Sequence, residues 1–162
     1  MAGRKSLQLK APGGARPRLL LAEDSDPVRI VTAAMLKGMG CDVKAVIHGE
    51  QAVRLAASNR YDLILMDMQM PVMSGIEATI AIRAGSGPNR ETCILAMTAN
   101  ASPDDHKACL DAGMDGFESK PVRKQKLHAM LAALGDGKQT LVGDKGQMPG
   151  MLPVLQDRDR AA

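Results

Sequence analysis

Leu63-Ile64-Leu65-Met66-Asp67 is a run of four apolar residues closed by a carboxylate. A short apolar run of this kind reads as a central strand buried on both faces. Three further runs repeat the pattern: Leu19-Leu20-Leu21-Ala22 closes on Glu23-Asp24, Cys93-Ile94-Leu95-Ala96-Met97 on Thr98, and the shorter Asp115-Gly116-Phe117-Glu118-Ser119 on Lys120. Helix-like segments alternate with them at the spacing of βαβ units, which predicts a parallel sheet with helices on both faces. In such a sheet the reactive groups gather at the carboxyl edge of the strands. Residues spread from Glu23 to Lys120 then meet at one site holding carboxylates, a hydroxyl and an ammonium, a set suited to a metal ion and a phosphoryl group.

A fifth strand is expected over Val43 to Ile47. Pro27 suits the first position of a helix, where no backbone donor is needed. Val28, Val31, Met35 and Met39 give that helix an apolar stripe, and Gly38 and Gly40 end it. Glu50 to Ala57 forms a second helix. Ser74, as cap, and Gly75 lead into a third, with Ile76, Ile80 and Ile82 turned inward. Gly85-Ser86-Gly87-Pro88-Asn89 reads as a loop. A fourth helix runs from Asp104 to Ala112, capped by Ser102 with Pro103 in its first turn. The last follows Pro121 and presents Leu127, Met130, Leu131 and Leu134 on one face. Residues 1–17 read as a flexible basic leader, 18–134 as the folded domain, and 135–162 as a Gly/Pro-rich disordered tail.

The chain of 162 residues suffices for one well-buried domain. No apolar run approaches a membrane span, and the basic N-terminus lacks the pattern of a secretory signal. The formal net charge is +3, but residues 1–18 carry Arg4, Lys5, Lys10, Arg16 and Arg18 with no acid, so the remainder is mildly acidic. The basic end is a solvated extension rather than a nucleic-acid-binding surface. With one Tyr and one Phe, there is no aromatic platform for single-stranded nucleic acid. Cys41, Cys93 and Cys109 have neither zinc nor redox spacing and read as reduced thiols of a cytoplasmic protein. His48, His106 and His128 lack the spacing of a metal site or triad and read as surface residues. Met66, Met68, Met70 and Met73 read as adaptable packing.

A carboxylate at the end of a buried strand must be paired, metal-bound or functional, because an unpaired buried charge costs several kcal/mol. Three acids at one edge repel each other unless a cation neutralises them, and oxygen ligands with room for water suit Mg²⁺. Ser25 and Asp26 serve the following helix as cap and first-turn acid, leaving Glu23 and Asp24 for the metal.

Five fragments in order carry a resemblance: Leu-Ala-Glu-Asp-Ser (21–25), Met-Asp-Met-Gln-Met-Pro-Val-Met-Ser-Gly (66–75), Met-Thr-Ala-Asn-Ala (97–101), Ala-Gly-Met-Asp-Gly-Phe (112–117) and Ser-Lys-Pro (119–121). Together they resemble the receiver domain of two-component response regulators, from about Arg18 to Leu134. The third and fourth are most similar to receivers of hybrid sensor kinases. The resemblance implies a flavodoxin-like, doubly wound five-stranded α/β sheet of order 2-1-3-4-5. It makes Asp67 the phosphoacceptor and implies Mg²⁺ held by Glu23 (through water), Asp24, Asp67 and the backbone carbonyl of Gln69. Lys120, on a cis peptide bond to Pro121, and Thr98 would compensate phosphoryl charge, with the N–H groups of Met68 and Ala99. Gln69 and Asn100 would tune acyl-phosphate lifetime. Thr98 and Phe117 would form the switch, the ring turning inward as the face of the fourth helix, fifth strand and fifth helix repacks.

The resemblance further implies a regulatory protein rather than an enzyme with a turning-over substrate. It would take phosphate from a histidine kinase or His-phosphotransfer protein and act on a downstream protein target, with no DNA-binding domain after Leu134. The alternatives are a phosphorylation-independent pseudo-receiver and the receiver piece of a hybrid histidine kinase. A haloacid-dehalogenase phosphatase would want an acid where Gln69 stands. A dinucleotide-binding protein would want a Gly-rich turn in place of Glu23-Asp24-Ser25-Asp26.

Overall fold

Leu63–Asp67 forms the central strand, buried at all five positions. The computed structural model describes residues 16–99 and 102–135; most of the expected leader, Asn100 and nearly all of the expected tail lie outside them. The strands are β1 (Arg18–Ala22), β2 (Asp42–Val46), β3 (Leu63–Asp67), β4 (Cys93–Thr98) and β5 (Gly116–Ser119). All pair in parallel in the order β2-β1-β3-β4-β5, the flavodoxin-like arrangement. Between and after them run α1 (Asp26–Gly38), α2 (Gly49–Ser58), α3 (Gly75–Ala84), α4 (Pro103–Ala112) and α5 (Lys124–Gly135).

Because side chains alternate along a strand, each run feeds two cores. Leu19, Leu21, Leu63, Leu65, Leu95 and Met97 pack with Leu36 of α1 and with Leu127, Met130 and Leu131 of α5. Leu20, Ala22, Ile64, Met66, Ile94 and Ala96 face the other way, against Ala52 and Ala56 of α2, Ala78 and Ile82 of α3, and Cys109 of α4. Helices thus cover both faces, as a parallel sheet requires. The strand ladders set Ala22 beside Met66, Asp67 beside Met97, and Thr98 beside Ser119, so the residues closing these strands share one edge.

Two helical faces differ from the expected ones. On α1 the buried residues are Thr32 and Leu36, while Val31 is 57% exposed. Of the expected stripe, Met39 is buried in the core and Met35 packs against it, but Val31 turns out to solvent and Thr32 and Leu36 take the inward face beside them. On α3 Ile80 is 51% exposed, and Ala78, Thr79 and Ile82 are buried. Its neighbour α2 contributes the small residues Ala52 and Ala56 to the shared core, so close approach favours small side chains there as well. Ser74 and Ser102 each close a capping box at the start of α3 and α4. The three cysteines are buried and free, and burial pushes the Cys41 and Cys109 thiols up to about 11.

Candidate functional site

The sheet hydrogen bonding of β1 runs one residue past its end, because the Glu23 N–H donates to the Val46 carbonyl (3.1 Å). That bond turns the Glu23 side chain into the interior, where it is wholly buried, and sends the chain out at Asp24, which is exposed. Asp67, at the end of β3, is 3% exposed. Carboxylate oxygens of Glu23, Asp24 and Asp67 lie within 4.8 Å of one another. Such a group of hard oxygen donors, mixing buried and exposed members, fits a small divalent cation that keeps part of its water.

The charge is partly offset from the far end of the chain. Lys120 Nζ lies 2.8 Å from Glu23 Oε2 and 3.0 Å from Asp67 Oδ2. It also donates to Glu23 Oε1 at 3.1 Å. The Lys120 N–H donates to the Thr98 carbonyl (2.8 Å), which ties β5 to the end of β4. The Lys120–Pro121 peptide bond is cis.

One cation does not balance three acids. Asp67 is pushed up to about 7, chiefly by burial and then by its hydrogen bond with Asp24, against the pull of Lys120. Asp24 moves the opposite way, held low by that same hydrogen bond although its slight burial opposes. The two titrate together, and the exposed partner carries the charge. Burial would lower the Lys120 ammonium, but its contacts with Glu23 and Asp67 outweigh this and raise it. Two carboxylate atoms, Glu23 Oε2 and Asp67 Oδ2, are buried and accept no hydrogen bond among the described residues, despite their charge contacts with Lys120. Acceptors left in that condition suit a metal ion or its bound water.

A cavity of about 390 Å³ opens over these groups, lined among others by Glu23, Asp24, Asp67, Gln69, Thr98 and Lys120. The structure therefore brings Glu23, Asp24, Asp67, Gln69, Thr98 and Lys120 together. Phe117 stands apart, beneath α4, 2% exposed and in the second core. That is the inward position which the resemblance assigns to the activated switch.

Four details correct or extend the sequence reading. The Met68 N–H is engaged with the Met97 carbonyl (3.0 Å), so it does not face the site. The Gln69 N–H reaches Asp67 Oδ1 instead (3.2 Å), because the chain leaves the sheet one residue later. His106 is not a plain surface residue: its ring lies 3.9 Å from that of Phe117, tilted by 51°. The positions i and i+3 of His106 and Cys109 on α4 hint at a shared inward face, a signal present in the sequence. Asp105, which also lines the cavity, and Arg29, which donates to the carbonyls of Glu23 and Asp24, were not legible from strand ends. Ser25 occupies the N-cap of α1, but its side chain makes no capping hydrogen bond.

Residues 19–132 match the response regulator receiver domain family. A two-component response regulator of Oryza sativa subsp. japonica is 45% identical over 119 residues, covering 71% of this chain and 91% of that protein. The sensor protein GacS of Pseudomonas syringae pv. syringae is 36% identical over 113 residues, covering 68% of this chain but only 12% of its own length. Among solved structures, the receiver domain of a Pseudomonas aeruginosa PAO1 sensor histidine kinase, with a magnesium ion coordinated in its active-site cleft, superposes with a TM-score of 0.69. It is 41% identical and covers 76% of this chain and 99% of that one. No helix among the described residues is long and apolar enough to cross a membrane.

Proposed function

The chain belongs to the response regulator receiver domain family, and we propose that it is the phospho-accepting switch of a histidine-to-aspartate relay. One observation carries this reading: Glu23, Asp24, Asp67, Thr98 and Lys120 line a single cavity although they come from four strand ends. Asp67 supplies the nucleophile. One of its oxygens attacks the phosphorus of a phosphohistidine, the N–P bond breaks, the imidazole leaves with the bonding pair, and an acyl phosphate remains. Little covalent help is needed; the protein positions the groups and compensates charge. Glu23, Asp24, Asp67 and the Gln69 carbonyl are the residues that would hold Mg²⁺, which when bound supplies the positive charge that keeps Asp67 ionised and offsets the phosphoryl oxygens. Lys120, already between Glu23 and Asp67, needs only a small swing to meet a phosphoryl oxygen. The Thr98 hydroxyl and the N–H groups of Gln69 and Ala99 take the rest.

The output is a population shift rather than product turnover. Phosphoryl charge on Asp67 draws Thr98 toward it, and the face of α4, β5 and α5 repacks around Phe117 to bind a protein target or return phosphate to a His-phosphotransfer protein. Hydrolysis of the acyl phosphate by water resets the switch. Histidine kinases feeding such a relay draw on ATP, which supports a cytoplasmic setting for this chain. Identity to a segment of a sensor kinase supports a second setting, the receiver portion of a hybrid kinase, in which the same chemistry applies.

The test is incubation with Mg²⁺ and acetyl phosphate followed by intact mass, for wild type and Asp67→Asn. One hydroxylamine-labile phosphoryl group on wild type alone is expected. The same adduct on the variant would remove Asp67 from its role. No adduct on wild type, even from a phosphorylated His-phosphotransfer protein, would favour a phosphorylation-independent binding module.

A further inference from the structure

The junction between β1 and α1 presents both acids that precede the helix, yet its ordinary device is missing. Ser25 stands at the N-cap of α1 and its hydroxyl makes no capping hydrogen bond. The junction is held from inside the helix instead. Arg29, one turn into α1, donates through Nη1 to the Glu23 carbonyl at 3.1 Å and, more weakly, to the Asp24 carbonyl at 3.5 Å. Its Nη2 is ion-paired with Asp26, which sets the plane of the guanidinium. The side chain is 18% exposed, so solvent competes little for these bonds.

We propose that Arg29 is a positioning residue for the divalent-cation site: it fixes the backbone of Glu23 and Asp24 so that their carboxylates converge with Asp67 before a cation arrives. The inference rests on the acid cluster being the metal site. Glu23 is gripped on both sides, its N–H by the Val46 carbonyl (3.1 Å) and its own carbonyl by Arg29 (3.1 Å). Its side chain is then constrained by Lys120 and by the Ser25 N–H (3.1 Å). Asp24 has less: it is exposed, and beside its hydrogen bond with Asp67 the clamp on its own carbonyl holds it in place. A guanidinium whose Nη1 meets both carbonyls while its Nη2 is anchored on Asp26 opposes movement of that backbone, and a lysine ammonium has no second nitrogen for that anchor.

Position and charge make opposite predictions. Were Arg29 only a cation beside the acids, removing it would strengthen the attraction for Mg²⁺. As a positioning group its loss weakens binding. Partners outside the ligand set are typically worth about 10–100-fold in metal affinity, and a carbonyl clamp belongs near the lower end.

The experiment is calorimetric titration with Mg²⁺ of the full chain as wild type, Arg29→Gln and Arg29→Lys, with metal-free thermal unfolding of each. Arg54→Gln is the control, because it removes a guanidinium paired with Glu50 on the exposed side of α2. Expected are a roughly tenfold rise in Kd for Arg29→Gln, about threefold for Arg29→Lys, which keeps the charge and loses the fork, and no change for Arg54→Gln. Should Arg29→Gln fail to fold, Arg29→Lys carries the test alone. Variant affinities equal to or tighter than wild type would overturn the role of Arg29. Absence of Mg²⁺ binding by wild type would instead overturn the metal site itself, and this inference with it.

Discussion

Lys120 and Glu23 are 97 positions apart in the chain, and their side chains meet at 2.8 Å in the interior. The Lys120 side chain is 17% exposed and that of Glu23 fully buried, so neither charge is adequately solvated without the other. Lys120 also lies 3.0 Å from Asp67, and it is thus a structural counter-ion before any phosphoryl group is present.

Lys120→Ala should therefore weaken the fold as well as the chemistry. Removing one partner of a buried pair leaves the other charged and poorly solvated, at a cost of roughly 2–4 kcal/mol. Asp67, no longer held down by the ammonium, would then take up a proton more readily. The variant should melt several degrees lower without metal, recover part of that loss in Mg²⁺, and accept phosphate poorly from acetyl phosphate. Unchanged melting and unchanged phosphorylation would contradict the bridging geometry.

The pH dependence of stability follows from Asp67. Its carboxyl sits at about 7 in the fold and near 3.8 in the unfolded chain. Between those values the folded state holds a proton that the unfolded state has released, so stability falls as pH rises from about 4 to about 7 and stays low above that. Asp67→Asn removes this dependence. Without metal, its stability relative to wild type should climb across the same window, reaching a gain on the order of 2 kcal/mol by pH 7.5, read from denaturant unfolding at each pH. Mg²⁺ should close the gap by stabilising wild type only. A difference that is flat with pH would mean the burial of Asp67 has been misjudged.

Gly75 sets how closely α3 approaches Asp67, the proposed phosphoacceptor. A Cβ at this position would run into the backbone carbonyl of Asp67, and the Gly75 N–H donates to the Met68 carbonyl at 3.1 Å. Gly75→Ala must push either the helix or the end of β3 aside, costing about 2 kcal/mol, and should slow phosphorylation by displacing Asp67. Gly38→Ala is the natural comparison, since a Cβ there meets nothing within 4 Å. It should raise stability by about 0.5 kcal/mol and leave phosphorylation alone. Equal effects of the two substitutions on phosphate uptake would argue against close approach at Gly75.

The sheet and its active edge were legible because they depend on runs and endings. An apolar run such as Leu63–Met66 has few structural options, and a charged residue closing it has one favourable exit, the carboxyl edge. What stayed hidden depends on orientation. Thr32 rather than Val31 faces the sheet because the helix axis, not the hydrophobicity of the row, selects the face. Gln69 rather than Met68 turns its N–H toward Asp67 because the turn leaves the sheet one residue later than a simple count suggests. Arg29 was invisible for a third reason: it acts on backbone carbonyls, which every residue type carries alike.

His106 and Phe117 offer the most direct view of the switch. The imidazole lies 3.9 Å from the phenyl ring and covers it from α4, so the buried position of Phe117 depends on a contact that α4 can make or break. Aromatic pairs of this kind contribute about 0.5–1.5 kcal/mol beyond burial, enough to change a two-state population by roughly threefold to tenfold. His106→Ala should therefore increase the share of molecules with the ring turned out. Phe117 is the single phenylalanine of the chain, so selective labelling gives one ring spectrum by nuclear magnetic resonance. Wild type should show one dominant environment, and His106→Ala a second environment or exchange broadening. A beryllofluoride adduct on Asp67, as a phosphoryl mimic, should draw the variant back toward the first, because the proposed movement of Thr98 would favour the inward ring independently of His106. A variant spectrum identical to wild type would show that the core holds Phe117 without help from α4, and the switch would then have to reside in the helix alone.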